Sequence, residues 1–147
     1  MGPVIPVKRT LVVNVPASQI YAYLVDFENA TEWDAGTVRC TRASGDGSVG
    51  TTYTNVSKFL GRETQLTYIV TALETDRLIA WTGENTSVIS DDKITLTPSG
   101  TGTEVTYVAE FTFKGRARYV GPLLKPALDK LANNTQQTLR DALLRLR

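Results

Sequence analysis

The sequence contains no histidine, and this absence excludes more functions than any residue that is present. Without histidine there is no imidazole general base, and the Ser-His-Asp and Cys-His arrangements of many hydrolases are excluded. Common zinc sites are excluded as well, because Cys40 is the single cysteine and cannot form an internal disulfide or a thiolate cluster. We therefore expect no metal site, and no phosphate-loop spacing indicates a nucleotide cofactor.

Long apolar runs and an excess of one charge are also missing. No segment approaches the roughly 20 apolar residues of a membrane-spanning helix, and the first residues lack the apolar core of a signal peptide. Sixteen basic against fifteen acidic residues give a net charge of +1, which argues against nucleic acid or an anionic membrane as a partner. With 41% hydrophobic residues in 147, we expect one globular cytoplasmic domain, residues 1–147.

The order of predicted elements is strand, two short helices, several strands and one long helix. Alternation predicts a first strand over residues 7–15, and Pro16 suits the first turn of the helix that follows. A second short helix is predicted over residues 28–33. From there to Gly115 the pattern is of short strands separated by turns, and the last helix spans about residues 121–147.

Short turns predict how neighbouring strands pair. If Gly61 and Arg62 form a two-residue hairpin turn, Leu60 pairs with Glu63. Pairing Leu73 with Leu78 across the next turn would set Trp81 opposite Val70. Alternation then places one set of residues on the inner face of the sheet: Tyr53, Asn55, Ser57, Phe59, Thr64, Leu66, Tyr68, Val70, Trp81, Val105, Tyr107, Ala109, Phe111 and Phe113.

The last helix provides the cover for this inner face. Residues at steps of three and four form one stripe: Leu124, Leu128, Leu131, Thr135, Leu139, Ala142 and Leu146. Polar residues on both facing surfaces, such as Asn55, Ser57 and Thr135, need partners if they are buried. Either they satisfy one another or bind ordered water, or they line a mixed polar and aromatic cavity for a small molecule.

Charged residues give weaker indications. Four carboxylates near the short helices are expected on a solvated helix face: Asp26, Glu28, Glu32 and Asp34. Asp91 and Asp92 are expected at a solvent-exposed turn or strand edge, and Glu84, close to Trp81, is the acid to check for burial.

Three basic residues precede the last helix: Lys114, Arg116 and Arg118. They are expected in a solvated loop. The alternative is that they hold an acidic ligand group, such as the phosphate of a substrate on an acyl carrier, which has no other support in the sequence.

Several segments resemble the START-like, or helix-grip, superfamily and most closely its polyketide cyclase/dehydrase-like branch. They span nearly the whole chain: residues 15–24 (VPASQIYAYL), 26–33 (DFENATEW), 49–53 (VGTTY), 66–74 (LTYIVTALE) and 102–107 (GTEVTY). The resemblance implies an α+β fold in which a curved antiparallel sheet of about seven strands wraps around the long C-terminal helix. Members include aromatase/cyclases, lipid and sterol carriers, hormone receptors and quinone-binding proteins, so it implies a cavity rather than a reaction.

Three functions follow, and the first is the hypothesis we favour. A carrier or sensor would bind a small hydrophobic or aromatic ligand (lipid, quinone or polyketide-like) among these residues: Tyr53, Asn55, Tyr68, Trp81, Tyr107, Phe111, Leu128, Leu131 and Thr135. The alternative is a polyketide cyclase or dehydratase that uses the same cavity, with Tyr68 or Tyr107 as proton donor and no identifiable base. In the third, the protein's own side chains fill the interior. Oligomeric state is not predicted.

Overall fold

The computed structural model describes residues 2–147, which form an antiparallel sheet and three α-helices. The seven strands follow in the spatial order β1-β7-β6-β5-β4-β3-β2. Their bounds are β1 Val4–Val13, β2 Thr37–Ser44, β3 Thr52–Phe59, β4 Arg62–Glu74, β5 Leu78–Glu84, β6 Val88–Ser99 and β7 Gly102–Phe113. Every pairing of neighbouring strands is antiparallel, so one face can pack on a helix while the other meets water.

The helices lie at the two ends of the chain. Helix α1 (Ala17–Leu24) begins directly after Pro16, and a 3₁₀ turn (Phe27–Asn29) leads into α2 (Ala30–Trp33). The long helix α3 (Lys125–Leu144) packs against β1 and α2. The predicted α+β arrangement, a curved sheet around a long C-terminal helix with short helices after the first strand, is confirmed.

The first strand and the last helix begin at other residues than predicted. The first strand begins at Val4 rather than residue 7, because β1 is an edge strand and tolerates Pro6, which has no N–H to donate. The last helix begins at Lys125 rather than residue 121, since the residues around Pro122 form a 3₁₀ turn (Gly121–Leu124). Met1, which precedes the predicted first strand, lies outside the described residues.

The predicted hairpin register between β3 and β4 is wrong by two residues. Phe59 pairs with Arg62, so the turn consists of Leu60 and Gly61, whose φ angles are 53° and 80°. This is the conformation of a two-residue turn with both central residues at positive φ. Because side chains alternate with a period of two, a shift of two residues leaves the inner face as predicted. Tyr53 and Tyr68 now lie directly opposite each other.

The next hairpin contains a compensating irregularity. Leu73 pairs with Ile79 rather than with Leu78, which is a shift of one residue from the prediction. A bulge at Thr71, between Val70 and Ala72, then restores the predicted pairing of Val70 with Trp81. Trp81 therefore reaches the inner face as expected.

Aromatic rings fill one part of the space between the sheet and the helices. Phe27 stacks on Trp81 with 4.8 Å between ring centroids, and it meets the edges of Tyr68 at 4.9 Å and Tyr53 at 5.5 Å. Trp33 lies 6.2 Å from Trp81. These rings close the interior on the side of the short helices. Along α3, the buried residues are Leu128, Ala132, Thr135, Leu139, Ala142 and Leu143.

Candidate ligand-binding site

A cavity of about 240 Å³ lies between the sheet and α3. Apolar side chains from the sheet, the loop before α3 and α3 itself form most of its wall: Phe59, Leu66, Val88, Phe111, Phe113, Ala117, Leu124, Leu128 and Leu131. The exposed lining residues Lys58, Thr64 and Ser87 mark its mouth. A mainly apolar, concave site of this kind is the usual setting for a small-molecule ligand.

Polar groups collect at one end of the cavity, around Asp92 on β6. Asp92 is only 8% exposed, and Ser90 Oγ donates a hydrogen bond to its Oδ1 at 2.7 Å. Burial raises the pKa of Asp92 to about 7; hydrogen bonds from Ser90 and Tyr68 oppose this rise, and the charge of Asp34 adds to it. Asp92 therefore exchanges its proton near neutral pH.

Tyr68 reaches this end of the cavity because its cross-strand neighbour is a glycine. Gly83 lies opposite Tyr68, and a Cβ at Gly83 would fall 2.5 Å from the Tyr68 ring. Burial, and then the charges of Asp92 and Asp34, hold the pKa of Tyr68 well above 10, and the pKa of Tyr107 is raised by the same causes. Both phenols therefore stay protonated and can donate hydrogen bonds.

Asp34 follows α2 and joins the cavity to a chain of buried polar groups. Thr37 Oγ1 donates to Asp34 Oδ2 at 2.6 Å, and Thr135 Oγ1 donates to Asp34 Oδ1 at 3.1 Å. Asn55 Nδ2 donates to Thr37 Oγ1 at 3.1 Å, and Ser57 Oγ donates to Asn55 Oδ1 at 2.6 Å. Burial raises the pKa of Asp34, and the hydrogen bonds from the Thr37 and Thr135 hydroxyls oppose this rise. Asn55 is thus satisfied inside the protein, which was one of the two alternatives for the polar inner residues.

The residues predicted to line the cavity divide into three groups. Five of them line it: Tyr68, Tyr107, Phe111, Leu128 and Leu131. Thr135 borders a separate void of about 10 Å³ that also touches Asp34 and Tyr107. Tyr53, Asn55 and Trp81 are each 1% exposed and lie outside the cavity lining, in the packed interior.

The two carboxylates at the cavity were not predicted to be there. Asp92 was expected in solvent, but Ile94 and Leu96 are buried on β6, and the alternation they begin puts Asp92 on the same face. That alternation was a usable signal. Asp34, expected on a solvated face, is partly enclosed where the chain leaves α2, and no sequence period marks that position. Glu84, by contrast, is 54% exposed and pairs with Lys114.

The basic segment before α3 contributes little to the cavity. Of residues 114–118, Ala117 lines the wall. Lys114 pairs with Glu84, the Arg118 guanidinium lies over the Tyr119 ring at 4.7 Å, and Arg116 is exposed. The expected solvated loop agrees with these positions.

The described residues offer neither a metal-binding cluster nor a membrane-spanning helix. Within residues 2–147, no three His, Cys, Asp or Glu side chains come close enough together to hold a metal ion. No helix in the described part of the chain combines the length and the apolar character needed to cross a bilayer.

Solved structures with the same fold come from several sources. The Zhui aromatase/cyclase from Streptomyces sp. R1128 superposes with a TM-score of 0.83 at 12% identity, over 97% of this chain and 95% of that one. A START superfamily protein from Mycobacterium smegmatis gives a TM-score of 0.81 at 15% identity, over 97% and 99%. A protein from Thermus thermophilus gives 0.78 at 12% identity, over 97% and 98%. At these identities the likeness shows a shared fold alone.

No curated protein matches the sequence. A family model does match: the one described as polyketide cyclase / dehydrase and lipid transport covers residues 5–147, nearly the whole chain. The START-like resemblance predicted from the sequence is confirmed by this match and by the shared fold. The chain belongs to the polyketide cyclase / dehydrase and lipid transport family.

Proposed function

We propose that the protein binds a small hydrophobic or aromatic molecule between the sheet and α3, and that residues 1–147 act as one ligand-binding domain. The observation that carries this proposal is the cavity of about 240 Å³ with an apolar wall and polar groups at one end. A dry cavity of about 150 Å³ is enough to bind benzene. This cavity therefore has room for a larger ligand, such as a fused two-ring aromatic, and that size is compatible with part of a lipid, a quinone or a polyketide.

The third hypothesis, in which the protein's own side chains fill the interior, has less support. Tyr53, Asn55 and Trp81 do pack or hydrogen-bond within the protein, as that hypothesis requires. However, Phe111, Leu128 and Leu131 face unfilled space. An apolar cavity loses packing contacts and costs stability, and a bound ligand would restore them.

Native mass spectrometry of the purified protein, compared with the denatured protein, tests whether a ligand is carried. A thermal-shift series with naphthalene derivatives then tests whether the cavity accepts one, because a ligand that binds only the folded state raises Tm with concentration. Leu131→Trp should fill the cavity and abolish the shift. The control is Val12→Trp, which adds the same ring on the exposed face of β1. This variant should still show the ligand-dependent rise in Tm. Equal shifts in both variants would place binding outside the cavity.

The alternative, a cyclase- or dehydratase-type enzyme, gains support from Asp92. The sequence showed no base, but a carboxylate whose pKa is about 7 is suited to remove a proton at neutral pH. In an aldol closure, Asp92 would take the proton from a carbon between two carbonyls, and that carbon would attack a ketone. Tyr68, which stays protonated, would donate a proton to the resulting alkoxide.

A short synthetic poly-β-ketone is the probe for this alternative, with cyclised product measured by chromatography. If the protein is such an enzyme, Asp92→Asn and Tyr68→Phe should each slow cyclisation by about 100-fold while the probe still binds. Asp91→Asn, which changes the exposed neighbour, should leave the rate unchanged. A rate in the unsubstituted protein equal to the uncatalysed rate would count against the enzyme and leave the binding proposal standing.

A further inference from the structure

Asp34 and Asp92 line the same cavity without a buried cation beside them. Asp34 enters from the end of α2 and Asp92 from β6. Among residues 2–147 no arginine lines the cavity, and its one lysine, Lys58, is exposed at the mouth. An enclosed carboxylate without a positive partner is costly, because hydroxyl groups replace only part of the hydration that it loses.

The Asp92 carboxylate can accept more hydrogen bonds than its hydroxyl neighbours donate. A carboxylate has about four acceptor sites, and the hydroxyl donors at Asp92 are Ser90 and Tyr68. Tyr107, only 9% exposed, lines the same cavity, and its pKa is raised by burial and then by the charges of Asp92 and Asp34, with no hydrogen bond among the causes. The Tyr107 hydroxyl and the Asp92 carboxylate can therefore bind one polar ligand group together.

The chemistry of Asp92 and Tyr107 indicates which ligand group fits this end of the cavity. A protonated amine brings three hydrogen-bond donors and a positive charge, which is what Asp92 and the Tyr107 oxygen lack. A carboxylate ligand would meet Asp34 and Asp92 as like charges, and a neutral alcohol would supply one donor and no charge. The apolar wall, from Leu66 and Phe111 to Leu128, suits an aromatic ring attached to that amine.

We propose that the cavity selects aromatic or hydrophobic amines, with the ammonium group held by Asp92 and the ring against the apolar wall. This inference rests on the proposed ligand-binding function and names the class of ligand. Asp34 stays bonded to Thr37 and Thr135 and acts by its charge. Asp92 forms the direct ion pair.

Binding of an amine should be coupled to proton release. The charged or titratable groups that face Asp92 are Asp34 from the end of α2, Tyr68 from β4 and Tyr107 from β7, with Asp91 next to it on β6. The pKa of Asp92 is raised to about 7. An ammonium ion requires its ionised form, so affinity should fall as the pH drops below about 7, and binding there should release up to one proton.

Three matched probes test the inference by isothermal titration calorimetry: 1-naphthylmethylamine, 1-naphthylmethanol and 1-naphthoic acid. They share one ring system and differ in the polar group. The amine should bind the unsubstituted protein about ten-fold more tightly than the alcohol, and the acid should bind most weakly. Asp92→Asn should remove the preference for the amine, whereas Asp91→Asn, on the exposed face, should keep it.

The outcomes separate this inference from the binding proposal. Equal affinity for amine and alcohol, or tightest binding of the acid, would overturn the amine inference while leaving the ligand-binding cavity intact. Binding of none of the three would count against both. If Asp92→Asn fails to fold, titrations of the unsubstituted protein at several pH values in buffers of different ionisation enthalpy decide the matter. Amine affinity that does not fall below pH 7, with no proton released, would overturn the inference.

Discussion

Thr135 on α3 donates a hydrogen bond to Asp34 Oδ1 at 3.1 Å, and its oxygen accepts one from the Ala35 backbone N–H at 3.2 Å. Thr135 itself is 1% exposed, and both bonds are partly buried. One hydroxyl thus joins the C-terminal helix to the loop after α2 and holds a cavity carboxylate in place. The threonine that interrupts the apolar stripe of α3 is therefore a structural connection.

Replacing this hydroxyl with a methyl group tests the connection. Thr135→Val keeps the shape of the side chain but leaves the Ala35 N–H and one oxygen of Asp34 without a partner. The free energy of unfolding should fall by about 1–3 kcal/mol, measured by urea denaturation. Thr135→Ser keeps the hydroxyl and should lose less. A valine variant as stable as the original protein would show that neither bond contributes.

Asp92 should make the stability of the protein depend on pH. Its pKa rises from the usual 3.8 to about 7, so between about pH 4 and pH 7 the folded chain keeps a proton that the unfolded chain releases. The free energy of unfolding should therefore fall across that interval and level off above it. Asp92→Asn should flatten this part of the profile and stabilise the protein at pH 8 by on the order of 2 kcal/mol. Denaturation midpoints at several pH values are the measurement, with Asp91→Asn as the control.

A substitution in the turn between β3 and β4 should increase the stability of the protein. Leu60 is 64% exposed and has a φ of 53°, a left-handed conformation that asparagine tolerates better than leucine. Leu60→Asn should raise the free energy of unfolding by about 1 kcal/mol. Gly61→Ala should lower it by a similar amount, although no atom within 4 Å would meet the new Cβ, because φ is 80° there. No change in either variant would show that the turn is not strained.

Cys40 should be unreactive in the folded protein. It is 7% exposed, and burial raises the pKa of its thiol to about 12. Because the thiolate is the reactive form, an aromatic disulfide reagent at about pH 8 should label the folded protein very slowly. The same reagent in a denaturing concentration of urea should label one thiol per chain at once. Equally fast labelling in both conditions would show that this part of β2 opens readily.

The sequence predicted the sheet faces better than the strand registers. The β3–β4 turn was placed one residue late. Glycine is the usual residue at positive φ, and nothing in the sequence indicates that Leu60 also adopts a positive φ. The error of two residues kept each side chain on its face. In the next hairpin the predicted register was wrong by one residue, and the bulge at Thr71 compensates for that shift. The alternation of side chains therefore predicted the inner face correctly, although both turns were predicted at the wrong residues.

The polar end of the cavity was the part that the sequence concealed. A carboxylate is usually exposed to water, so Asp92 was assigned to solvent. The alternation of β6, however, places Asp92 on the same buried face as Ile94 and Leu96. Asp34 is enclosed by Thr37 and by Thr135, which lies far along the chain. Such enclosure depends on how α3 docks, and it leaves no local pattern. Functional sites are where local rules are expected to fail in this way.

The neighbour relation between β1 and β7 has a consequence for how the chain folds. β1 is made before the other six strands of this sheet, but its strand partner is β7, whose residues lie about 100 positions later: Val4 pairs with Thr112, and Val13 with Thr103. The long helix that packs on β1 is made later still. β1 must therefore remain without its strand partner until β7 has been made, and closing the sheet is a late, long-range step that slows folding.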